Sequence, residues 1–109
     1  MFIMSITQDL WYNNYTRLIF MLYIFSKTSC GPCILVKKYF KTMNDPRTES
    51  VKEILLDDGE DDNIEFAKKY SINATPTLIV VDENDEKVEE YVGGVPITQN
   101  IAKLLDQYA

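Results

Sequence analysis

The chain alternates between short apolar runs and mixed segments in which apolar residues return every three or four positions. Phe2–Ile6 (FIMSI) is apolar and predicts a strand. Thr7 is suited to cap a helix over about 8–17, with Leu10, Trp11 and Tyr15 on one face. Leu18–Phe25 (LIFMLYIF) is apolar without interruption, as a strand covered on both faces should be. Beyond it, Val36, Tyr39, Phe40 and Met43 recur at helical spacing and Lys37, Lys38 and Lys41 take the other face, which predicts a helix over 34–43. Asn44-Asp45-Pro46 stops it, because the residue before a proline avoids the helical region. Val51–Leu56 reads as a strand, 62–70 as a helix carrying Ile64, Ala67 and Lys68, and the β-branched Thr77–Val81 as another strand. A turn at Asn84-Asp85 leads to a return strand over 88–92, broken by Gly93 and Gly94. Thr98 then caps a last helix with Ile101, Leu104, Leu105 and Tyr108 on one face.

The resulting order, β-α-β-α-β-α-β-β-α, predicts an α/β protein whose mixed sheet is covered on both sides. With 109 residues and 46% hydrophobic residues, one domain over 1–109 with one modest core is expected.

Charge narrows the choice of partners. The net charge of −6 opposes binding to nucleic acid or to an anionic membrane, both of which call for clustered cations. The acids concentrate in Asp57–Asp62 and Asp82–Glu90, which read as solvated loops or strand edges. Asp57–Asp62 holds Gly59 but lacks the spacing of a calcium loop. The eight apolar residues of Leu18–Phe25 fall far short of a membrane span, and no basic leader with a small-residue cleavage site is present. A cytoplasmic location is the expectation, and in a reducing compartment two close cysteines point to redox chemistry or a metal before a structural staple.

Cys30 and Cys33, with Gly31-Pro32 between them, are the chain's two cysteines, and they stand where an apolar strand gives way to a helix. A thiol attacks a disulfide only as the thiolate, and helix N-termini and neighbouring cations favour that form. Cys30 is expected at the helix start, facing unsatisfied N–H groups, with Lys27 able to add positive charge. Pro32 suits the first turn, where its missing N–H costs nothing. Cys33 falls one turn on, on the same side and more buried, so Cys30 is the candidate nucleophile and Cys33 the resolving thiol. A metal knuckle, a cluster bridging two subunits and a pair of inert buried thiols are alternatives. The chain has no histidine, and two thiols supply half of a four-ligand zinc site. Pro76, in Asn73-Ala74-Thr75-Pro76-Thr77, is either a cis proline or an ordinary strand-initiating one.

These residues resemble the thioredoxin family. Cys30-Gly31-Pro32-Cys33 matches the family's active-site tetrapeptide, Thr75-Pro76 its cis-proline loop and Val92-Gly93 the third loop of its substrate-binding surface. The resemblance implies a thioredoxin fold, three layers α/β/α around a central mixed sheet of four to five strands with about four helices. It also implies a general protein-disulfide reductase, with Cys30 attacking and Cys33 resolving. Lys27, Ser29, Gly31 and Pro32 would form the active-site loop, and Thr75, Pro76, Gly93 and Gly94 would hold the substrate. Electrons would come from NADPH through a flavoprotein reductase, the protein itself being a monomer that binds no cofactor.

Two positions depart from the family. Ser29 replaces the tryptophan usual before the first cysteine, and Ile24 stands where the family buries an aspartate, whose lysine partner would fall near Lys52 or Glu53. Without that carboxylate, deprotonation of Cys33 must use water or another group, and slower resolution of the mixed disulfide is expected. Gly93-Gly94 is also a glutaredoxin-like feature, which keeps a glutathione-dependent oxidoreductase in view, although no acid follows in Val95-Pro96-Ile97-Thr98. A docking subunit that uses the fold without its thiols is the third reading.

Overall fold

The computed structural model describes residues 20–109. The strand read over 2–6 and the helix read over 8–17 lie outside them. The described elements are β1 (Met21–Ser26), α1 (Gly31–Met43), a 3₁₀ turn (Pro46–Ser50), β2 (Val51–Leu55), α2 (Asp61–Lys69), β3 (Thr77–Val81), β4 (Lys87–Val92) and α3 (Gly94–Tyr108). The strands form one mixed sheet in the order β2-β1-β3-β4. β1 and β2 are parallel, with α1 as the crossover, whereas β1–β3 and β3–β4 are antiparallel.

Side chains alternate across the sheet, and the helices divide accordingly. Leu22, Ile24, Leu78 and Val80 point to one face, where Val36 of α1 and Ile97, Ile101, Leu104 and Leu105 of α3 cover them. Phe25, Ile79 and Val81 point to the other, against Ala67 and Tyr70, with Phe66 packed alongside. The architecture is therefore the three-layer α/β/α thioredoxin fold. Three α-helices lie among the described residues, where about four were expected of the whole chain. None of them is long and apolar enough to cross a membrane.

Several boundaries differ from the sequence reading. β1 begins at Met21, leaving Phe20 outside the strand. α1 begins at Gly31, three residues before the first clearly periodic position, because Pro32 is accommodated in its first turn. α3 begins at Gly94, so Thr98 does not cap it and instead donates its hydroxyl to the Val95 carbonyl within the helix. Pro96 is tolerated there because first-turn N–H groups have no partner within a helix. On α2 the inward residues are Phe66, Ala67 and Tyr70, and Ile64 is exposed. Tyr39 of α1 is also exposed, at 42%.

Candidate active site

Three loops meet at the end of the sheet where β1 runs out. β1 and β3 pair with Phe25 opposite Thr77, and continuing that register sets Pro76 beside Ser26. β3 and β4 pair with Thr77 opposite Val92, and one step on the Gly93 N–H donates to the Pro76 carbonyl at 2.8 Å. The Thr75–Pro76 peptide is cis, and the Thr77 hydroxyl donates to the Ala74 carbonyl at 2.7 Å. Gly93 has φ +99°, a conformation costly for any residue with a Cβ. A Cβ on Gly94 would lie 3.7 Å from Val36 and 3.8 Å from the Pro32 carbonyl, so the start of α3 rests on the first turn of α1.

Cys30 is the N-cap of α1. Its backbone is extended, its carbonyl accepts the Ile34 N–H, and its sulfur accepts the Cys33 N–H at 3.2 Å. The sulfur occupies the position where a serine or aspartate oxygen usually satisfies a helix N-terminus, and an anion there is favoured by both the N–H group and the helix dipole. The two sulfurs are joined in a disulfide with Cα atoms 5.2 Å apart, within the ordinary range. Cys30 is half-buried and Cys33 is 2% exposed. Of the two sulfurs, that of Cys30 is therefore the more accessible from outside.

The preceding loop is pinned from β2's end. Asp57 accepts the Thr28 N–H at 3.0 and 3.1 Å and the Thr28 hydroxyl at 2.8 Å. These bonds hold the Asp57 carboxyl below the usual carboxylate range. Lys27 contributes its carbonyl, which accepts the Cys30 N–H at 3.3 Å, while its side chain is exposed beside an exposed Ser29. Around the cysteines Ile34, Leu35, Val92 and Val95 are exposed, Leu35 at 66% and Val95 at 64%. Leu35 and Val95 border a groove of about 480 Å³ that runs from Pro32 and Gly94 between α1 and α3.

Behind Cys33 lies a second cavity, of about 240 Å³, floored by Ile24, Phe40 and Val51. Glu53 enters it from β2, opposite Ile24 in the parallel register. That register settles which of Lys52 and Glu53 neighbours position 24 on the same face. The Ser26 hydroxyl donates to Glu53 Oε2 at 2.7 Å, and Lys37 of α1 forms an ion pair with the same oxygen. Ser26 and Lys37 were not singled out for such a role by sequence; the available signal was a charged residue, Glu53, at the inward parity of Val51 and Leu55. Among the described residues, no group of three or more Cys, Asp or Glu side chains is placed to hold a metal ion.

Comparison with known proteins gives this geometry a family. The chain is 33% identical over 67 residues to a thioredoxin of Bacillus subtilis, 62% of each chain. It therefore spans about three-fifths of that relative's length. Its fold is similar to the Schistosoma mansoni thioredoxin pre-protein (TM-score 0.59, 27% identity, covering 93% of this chain and 90% of that one). It is also similar to Fasciola hepatica thioredoxin (TM-score 0.61, 21% identity, covering 94% of each). The thioredoxin-like domain model matches residues 16–109, well over half the sequence, and the chain belongs to that family.

Proposed function

We propose that this protein is a thiol–disulfide oxidoreductase that reduces disulfides in other proteins. The observation that carries the reading is the unequal placement of the two sulfurs. Cys30 Sγ is reachable and capped by the first turn of α1, while Cys33 is buried one turn behind it. In the reduced protein the Cys30 thiolate attacks a sulfur of the partner's disulfide, and one partner sulfur leaves with the electron pair of the broken bond. Cys33 then attacks Cys30, releasing the second partner sulfur and closing the bond seen here. Thr75, Pro76, Gly93 and Gly94 hold the partner's backbone, and Leu35 and Val95 offer it apolar contact. Electrons return from NADPH through a flavoprotein reductase, with glutathione as the alternative donor.

Reduction of insulin disulfides tests the proposal. The wild-type protein should turn over, Cys30→Ser should abolish turnover, and Cys33→Ser should accumulate a mixed disulfide at Cys30. Activity that survives in Cys30→Ser would overturn it. A requirement for glutathione, with glutathione trapped on Cys30, would move the protein to the glutathione-dependent class.

A further inference from the structure

The resolving step needs Cys33 to lose a proton, and Cys33 is almost fully buried. A thiol in apolar surroundings holds its proton more tightly than one in water. What surrounds it decides how the proton leaves. The cavity of about 240 Å³ behind Cys33 has room for several waters. The ionisable groups that line it with Cys33 are Glu53 from β2, Lys37 and Lys41 from α1, and Glu49 from the 3₁₀ turn.

Glu53 is set apart from Glu49 by how it is held. Its Oε2 receives both the Ser26 hydroxyl and the Lys37 ammonium group, and Ser26 is itself 2% exposed. These contacts fix the carboxylate in place. Among the described residues, Oε1 has no protein hydrogen-bond partner, so one oxygen remains to take a proton. The Glu53 side chain is 32% exposed, so a proton it receives can pass on to solvent.

We propose that Glu53 accepts the Cys33 proton through cavity water, with Ser26 and Lys37 positioning its carboxylate. The inference rests on the oxidoreductase reading and assigns a residue to its second step. The proton of Cys33 Sγ–H moves through water to Glu53. The Cys33 thiolate attacks Cys30 Sγ, and the Cys33–Cys30 bond forms as the bond from Cys30 to the partner sulfur breaks. The electron pair of that bond leaves on the partner sulfur, which takes a proton from solvent. Two electrons have then passed from the dithiol to the partner's disulfide. Glu53 supplies from β2 what the apolar Ile24 beside it on β1 cannot.

The test separates the two steps with an aryl disulfide that releases a coloured thiolate. The reduced full-length protein should release one equivalent as Cys30 attacks and a second as Cys33 resolves. Glu53→Gln should leave the first release unchanged and slow the second by on the order of 10²-fold near neutral pH, a typical general-base contribution. The slow step should then depend on hydroxide concentration. Formate added to Glu53→Ala should restore part of its rate, and Glu49→Gln should behave as wild type. If the wild-type protein gives no first release, the oxidoreductase reading falls and this inference with it. If Glu53→Gln resolves at the wild-type rate, or slows both releases equally, the assignment of Glu53 is overturned and the wider reading stands.

Discussion

On the α2 face of the sheet, the side chains of β1 and β3 meet a continuous aromatic layer. Phe66 lies 4.9 Å from Tyr23, 5.8 Å from Phe25 and 5.2 Å from Tyr70, measured between ring centroids. On the α1–α3 face, the same β1 strand contributes Leu22 and Ile24 to an aliphatic core and then turns polar at Ser26, beside Cys33, Glu53 and a cavity. Polar groups drawn into a core cost stability unless they are hydrogen-bonded, and a cavity forfeits packing. The buried Ser26 hydroxyl is accordingly paired with Glu53, and the polar groups of this face are gathered at the end where the cysteines lie. One face serves cohesion alone, and the other gives up some of it at the site.

Removing packing from the cohesive face should produce the largest loss of stability. Phe25 is fully buried, so Phe25→Ala should cost about 3–5 kcal/mol in denaturant unfolding. Under conditions where the variant stays folded, the Cys30 attack rate should match wild type, because Phe25 points away from the cysteines. A large change in that rate with little change in stability would erase the distinction between the faces.

That distinction was only partly legible in the sequence. The β-branched, apolar run Thr77–Val81 and the apolar run before Cys30 were enough for the strands, and Gly31-Pro32 for the placement of the cysteines at a helix start. The sequence does not decide which side of α2 faces inward, because a nine-residue helix with few apolar positions admits more than one inward face, and Ile64 lies outside the one used. The start of α3 was missed because Thr98 looks like a cap, whereas Gly93 and Gly94, read as a strand break, are the cap and the first residue of the helix. The arrangement of Ser26, Lys37 and Glu53 joins three elements through the β1–β2 register, and local periodicity carries no register.

Adjacent glycines at the site end give a smaller and sharper contrast. Gly93 has φ +99° and ψ 159°, a region used almost only by glycine, and its N–H holds the Pro76 carbonyl. Gly93→Ala should therefore lower stability by about 1–3 kcal/mol and weaken partner binding. Gly94 has no such constraint, and the contacts a Cβ would make there are ordinary van der Waals distances. Gly94→Ala should stay within about 0.5 kcal/mol of wild type. Paired thermal unfolding measurements check both, and equal losses at the two positions would show that backbone conformation at Gly93 is not what matters.

The smallest effect concerns the loop that delivers Cys30, and it should appear as a pH dependence. Asp57 has its carboxyl held below the usual range, chiefly by the Thr28 N–H and then by the Thr28 hydroxyl. A carboxylate whose folded value lies below its unfolded value adds stability above the unfolded value, and that stability disappears as pH falls through the folded one. Asp57→Asn keeps one carbonyl oxygen for Thr28 but cannot titrate. The stability gap between wild type and Asp57→Asn should be open near neutral pH and should close as pH falls below the usual aspartate range. In that acidic range the residues Phe25, Ile79 and Val81 of the α2 face carry no charge, so Phe25→Ala should lose about the same stability at both pH values. A gap for Asp57→Asn that did not change with pH would mean that Thr28 binds the charged and neutral carboxyl equally, and the loop would then be held by packing as the opposite face is.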